Sequence, residues 1–165
     1  DWSAIYLNKV VGKSEYFSAI GYGVFAIAMT IGRIFGDYFT EKIGKYKLLI
    51  YDSLLAVLGL VIVLLFATTW MTLLGLFLIG LGLATIVPIV YSSAGNMKGV
   101  EPNVGIAMAT TIGYAGFFVG PPMIGFLADV YDLRIGLGFV LILFLAMLFL
   151  VLKINLERRK KISFK

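Results

Sequence analysis

Five continuous apolar runs, each about as long as a lipid bilayer is thick, dominate this 165-residue chain. They occupy 17–35, 48–66, 71–90, 104–127 and 135–152. Crossing ~30 Å of hydrocarbon takes about 20 helical residues. In lipid the backbone must satisfy its own hydrogen bonds, so only helices and closed barrels span. Barrel strands alternate apolar and polar residues, and these runs do not alternate. Each therefore reads as a transmembrane helix, and residues 1–7 read as the end of a further one whose start precedes the sequence. The fold class predicted is an all-α, polytopic membrane helix bundle. Composition agrees: 14% of residues are charged, against about 25% in soluble domains.

The chain has no Cys and no His. Disulfides, thiolate nucleophiles, zinc sites and histidine acid–base chemistry are thereby excluded. No clustered acid pair is present, so neither an enzymatic activity nor a metal or cofactor is expected. The first residues carry no charged segment ahead of a cleavable apolar stretch, so no signal peptide is read. The net charge of +5 is explained by placement rather than by a nucleic-acid partner. Loops alternate sides, and eleven of the 14 Lys and Arg residues fall on one side. The positive-inside rule makes that side cytoplasmic. The basic tail, 153–165, then lies in the cytoplasm as an anchor on anionic lipid.

The sharpest internal charge cluster runs from Gly32 to Lys47. It reads as a tight cytoplasmic loop, with Gly32, Arg33, Gly36, Asp37, Glu41, Lys42, Gly44, Lys45 and Lys47 as its working residues. Arg33 and Asp37 are four apart and can meet on one helical face. Glu41 and Lys42 are assigned to the turn, where Gly44 supplies a conformation that a side chain would hinder. A second cluster lies in 104–127, where Gly113, Gly116, Gly120 and Gly125 stand with Pro121 and Pro122. Small residues at helical spacing let another helix approach, and the prolines are expected to free carbonyls and break the hydrogen-bond ladder. This is either a flexible, cavity-lining helix or a packing kink. Pro88, with Tyr91, makes a similar case in 71–90.

Polar groups at membrane depth are functional suspects. Asp1, Tyr22, Tyr91, Thr110 and Tyr114 are candidates to face a cavity, with Asp1 the best carboxylate for ion coupling. Trp2 is either an interfacial belt residue or a platform for a sugar ring. Asp52 is placed about one turn into its helix, in a snorkelling or loop-supporting role rather than in proton transfer.

The Gly32–Lys47 cluster resembles a loop motif of the major facilitator superfamily: Gly, three residues, acid, base, any, Gly, any, base, base. Glu41, Lys42, Gly44 and Lys47 match the acid, base, Gly and last base. Asp37 stands where the first Gly belongs, with Gly36 one position earlier, and Tyr46 replaces one base. Gly113 to Asp129 is similar to helix 11 of bacterial members near the fucose-permease and YbjJ-like branches. Asp1 to Leu7 is similar to the outer half of helix 7 in the YbjJ-like group. The resemblance implies the C-terminal six-helix half of a 12-helix transporter, with helix 7 truncated. It further implies a site in the bacterial inner membrane, a conformational latch at the loop, and the lipid bilayer and a missing N-terminal half as partners. A small solute, a sugar or related polar metabolite, would be carried with protons. Drug efflux, or a small non-transporting membrane scaffold, is the alternative.

Overall fold

The computed structural model describes residues 2–12 and 15–163. Among them the chain is helical throughout, as α1 (Trp2–Lys9), α2 (Glu15–Ile43), α3 (Lys45–Leu65), α4 (Thr69–Leu83), α5 (Ile86–Gly95), α6 (Pro102–Val130) and α7 (Leu133–Ser163). Five stretches are long and apolar enough to cross a membrane: Ala19–Ile43, Lys45–Leu65, Thr69–Gly95, Pro102–Val130 and Leu133–Arg158. The third of these joins α4 and α5. The architecture is the polytopic helical bundle that the apolar runs imply.

The helices outrun the apolar runs, because hydropathy marks where lipid meets water and not where a helix must stop. The expected loop over 37–47 is largely helix. Asp37, Glu41 and Lys42 lie on α2, which ends only at Ile43. Nothing in Tyr38 to Ile43 breaks a helix, and a single glycine at Gly36 costs only about 1 kcal/mol. The corner is one residue wide. Gly44 has φ 82° and ψ 145°, a region almost closed to side-chain-bearing residues. Its N–H still bonds the Thr40 carbonyl at 3.0 Å, and its carbonyl accepts from the Leu48 N–H at 3.1 Å. A Cβ there would meet nothing within 4 Å, so the strain is purely conformational. Gly44→Ala is expected to cost about 1–3 kcal/mol, read as a lower unfolding temperature with no change in helix content. The basic tail likewise continues α7 as far as Ser163, since Lys, Arg and Glu are good helix formers.

At the centre of the packing is α4, held between α2 and α3 by glycines. Gly59 and Gly75 face each other, and a Cβ on either would lie 2.5 Å from the other's carbonyl oxygen. Gly80 meets the Phe25 carbonyl of α2, and Gly82 the Asp52 carbonyl of α3, at the same 2.5 Å. Close backbone approach of this kind is how helices gain packing contacts in lipid. Next to it, Tyr6 and Leu7 of α1 close a buried cluster with Leu60, Val63, Leu76, Ile79, Leu133 and Leu137. The Tyr6 hydroxyl donates to the Val63 carbonyl at 2.7 Å, tying α1 to the far end of α3.

The two proline sites behave differently. The ladder does break ahead of Pro88: α4 ends at Leu83, α5 starts at Ile86, and the Ala84 N–H reaches back only to Leu81, at 3.2 Å. Pro88 thus sits in the first turn of α5, where its missing N–H is tolerated. Pro121 and Pro122, by contrast, lie inside α6 without ending it. The break expected there is absent. Of all α6, only Gly105 is buried, while Phe118 is 75% exposed.

Candidate functional site

The basic end of the bundle holds a polar cavity of about 150 Å³. Its walls are Arg33, Gly36, Asp37 and Thr40 of α2, Lys45 at the start of α3, Ala84 and Thr85 at the α4–α5 break, and Pro88, Ile89 and Ser92 of α5. Two glycines of the cluster explain how α2 reaches the break. A Cβ on Gly32 would lie 2.5 Å from that of Ala84, and one on Gly36 would lie 2.8 Å from the Thr85 methyl. Across the cavity mouth, the Lys45 ammonium donates to the Ser93 hydroxyl at 3.3 Å, linking α3 to the end of α5.

The cluster therefore divides. Arg33, Gly36, Asp37 and Lys45 line the cavity, and Gly32 seats α2 against the break. Gly44 makes the corner. Lys42 folds back on its own helix, 3.3 Å from the Tyr38 hydroxyl and over the Tyr38 ring at 5.5 Å. Glu41 and Lys47 are exposed. Arg33 and Asp37 share the cavity, but among the described residues no ion pair joins them within 4.0 Å. Their expected contact along the helix is not made. Tyr46, which departs from the motif, carries the Arg158 guanidinium 4.5 Å above its ring. This cation–π contact pins the basic extension of α7 to the start of α3.

The remaining candidates lie elsewhere. Tyr22, Tyr91 and Tyr114 are exposed on α2, α5 and α6. Thr110 donates to the Ile106 carbonyl at 2.8 Å, within its own helix. Around Gly113, Gly116 and Gly120 there is open space, with nothing within 4 Å of a Cβ. Asp1 and the Trp2 side chain lie outside the described residues.

One residue pair escaped the sequence reading. Asp52 is 5% exposed, about two turns into α3, and accepts a hydrogen bond from the Thr85 hydroxyl. Thr85 is itself 7% exposed. Asp52 does not snorkel; it turns inward, to the back of the cavity wall. The signal was present as an acid inside an apolar run, but its partner lies 33 positions away. A second cavity, of about 210 Å³ and walled almost wholly by apolar side chains such as Leu60, Leu76 and Phe144, lies against the buried cluster. A third, of about 340 Å³ at the opposite end, gathers Lys9, Asp129 and Asp132.

A family model decides what kind of protein carries this arrangement: that of the major facilitator superfamily matches residues 2–165. The chain belongs to the major facilitator superfamily. It is 40% identical over 145 residues to an uncharacterised MFS-type transporter of Yersinia pestis, covering 88% of this chain and 38% of that protein. It is 36% identical over 146 residues to the membrane protein MosC of Rhizobium meliloti, covering 88% and 35%. An uncharacterised transporter of Sinorhizobium fredii is 32% identical over 135 residues, covering 82% and 36%. This superfamily chain thus spans little more than a third of the length of the curated relatives it matches. No solved structure matches it. The superfamily and the apolar helices together make it a multi-pass membrane protein.

Proposed function

We propose that this chain is the C-terminal half of a proton-coupled secondary transporter of a small polar solute, a sugar or related metabolite, in a bacterial inner membrane. It works by alternating access against an N-terminal half, with the solute near the midplane between the two. The basic end and the C-terminus face the cytoplasm, as the distribution of Lys and Arg supports. The branch we favour is the fucose-permease-like and YbjJ-like one, on the similarity of 113–129 and 1–7.

The observation that carries this reading is the largely uncovered middle of α6 in a superfamily member, a helix packed on α5 and α7 near its ends. A helix with open space around Gly113, Gly116 and Gly120, in a chain a little over a third as long as its relatives, suits a surface that another helical unit covers. The latch role fits the cavity, where α2, the start of α3 and the α4–α5 break meet around Arg33, Asp37 and Lys45. Such a contact sets which end is closed and does not hold solute.

The test is uptake by the full-length protein in proteoliposomes, with a pH gradient imposed and a panel of monosaccharides, small polar metabolites and cationic drugs. Accumulation of a sugar or polar metabolite that collapses with a protonophore is the expected result. Drug movement alone would replace the substrate class. Absence of any flux from correctly inserted protein would favour the non-transporting scaffold.

A further inference from the structure

We propose that Asp52 is a proton-binding site, exchanging its proton through the Thr85 hydroxyl with the polar cavity between α2 and α5. The two side chains form a buried pair, one on α3 and one at the break in the third full span. Thr85 alone belongs to both environments, since it bonds Asp52 on one side and walls the cavity on the other.

Asp52 is the only buried carboxyl group among the described residues. One turn away on its own helix stand Leu48 and Ala56, both buried. From α4 it meets Gly82, and α4 carries no titratable side chain. On α2 the charged groups at this end are Arg33 and Asp37, which wall the cavity with Thr85, and Glu41 and Lys42, which are exposed. On α3 itself, Lys45 is engaged with Ser93, while Lys47 and Tyr51 are exposed. From α5 the titratable group is Tyr91, which is exposed. From α7, among the described side chains at this end, they are Lys153, Glu157, Arg158 and Lys160, all exposed, with Arg158 on Tyr46. Among the described residues no cation lies within ion-pair distance of the Asp52 carboxylate. An ionised carboxylate shut away from water without a cationic partner is costly, and a proton on one oxygen removes the charge.

The step balances simply. Hydronium in the cavity gives one proton, relayed through the hydroxyl, to a carboxylate oxygen of Asp52 and leaves water behind. With the carboxylate ionised, the Thr85 hydroxyl donates to Asp52. With Asp52 protonated, its O–H can donate instead to the Thr85 oxygen, and the Thr85 proton turns towards the cavity. The consequence is mechanical as well as electrostatic. The Thr85 methyl occupies the notch that Gly36 leaves, where a Cβ would stand only 2.8 Å away. The hydrogen bond to the ionised carboxylate holds the Thr85 side chain, and with it that methyl, in place; neutralising Asp52 weakens the bond and so loosens the seat of α2 on the break, and with it the walls holding Arg33 and Asp37. Asp52 so becomes a proton-operated control on the contact assigned above to the latch. The inference rests on the proposed orientation only for which aqueous phase supplies the proton.

Infrared difference titration of the full-length protein, with pH as the only variable and no solute added, tests this. We expect a carboxylic-acid C=O band that appears and disappears within about pH 4 to 9, the range in which buried carboxyls titrate. One component of it should be lost in Asp52→Asn and shifted in frequency and midpoint in Thr85→Val. A band that titrates identically in Asp52→Asn, or no such band in the parent protein, overturns the proposal. Where Asp52→Asn fails to give monodisperse protein, Thr85→Val decides: a shifted band upholds the pair, and an unchanged band overturns it. In sealed vesicles, a band answering only to pH on the face opposite the basic end upholds the proton site while overturning the orientation. Transport need not be measurable for any of these outcomes, so failure here is distinct from failure of the transporter reading.

Discussion

Gly75→Leu should leave no monodisperse, folded protein. Gly75 sits where α4 crosses α3, with the Gly59 carbonyl oxygen 2.5 Å and the Val63 nitrogen 3.3 Å from where its Cβ would lie. The obstruction is backbone on the facing helix, so no rotamer relieves it and the two helices must separate. Separation undoes more than one contact. It lifts Gly82 off the Asp52 carbonyl and opens the cluster that holds Tyr6 and Leu7. Overpacking one site in a core costs typically 1–3 kcal/mol; with these coupled losses we expect about 4 kcal/mol or more, a large share of the ~5–15 kcal/mol that stabilises a typical domain. Size-exclusion profile and thermal unfolding in detergent read the result. Gly23→Leu is the control, since nothing lies within 4 Å of its Cβ, and it should leave both unchanged. A folded Gly75→Leu variant of normal stability would mean that α3 and α4 do not pack this way.

Asp1→Asn should abolish proton-driven accumulation while sparing exchange of solute for solute. If Asp1 is the coupling carboxylate, a neutral amide there mimics the protonated carrier, which can still swing when loaded. Net accumulation needs the return of the deprotonated form, which the amide cannot provide. One pH unit is worth about 1.4 kcal/mol, which permits about tenfold accumulation, so the inside-to-outside ratio should fall from about ten to about one. Unchanged accumulation would remove Asp1 from the mechanism and leave Asp52 as the carboxylate to test next.

Element type was legible wherever apolar runs were long. What hydropathy could not give was the end of each helix. Asp37, Glu41 and Lys42 looked like a loop because they are charged, yet charge at a lipid boundary is compatible with helix, and only the positive φ of Gly44 turns the chain. The glycine clusters were legible as packing devices but not as to which one packs. Gly59, Gly75, Gly80, Gly82 and Gly105 press against the backbone of a facing helix, while the more conspicuous Gly113, Gly116 and Gly120 face open space. Pairing was the least legible feature. Arg33 and Asp37 have ideal spacing and do not bond, whereas Asp52 finds Thr85 on another helix. Arg158, read as part of an anchor, stacks on Tyr46. Local spacing constrains neighbours along one helix, and contacts between helices depend on packing that the sequence states only indirectly.

The most direct test of the account is the reactivity of Tyr114→Cys in the full-length protein towards a membrane-impermeant maleimide added to one face at a time. This chain has no cysteine of its own, so only cysteines elsewhere in the protein need removal. Tyr114 lies near the middle of α6 and is 62% exposed, on a helix that the account gives to a water-filled cavity between two halves. The account predicts labelling from both faces, with conditions that raise reactivity from one lowering it from the other. A residue unreactive from either face would mean that α6 meets lipid there, and the alternating-access reading would be wrong.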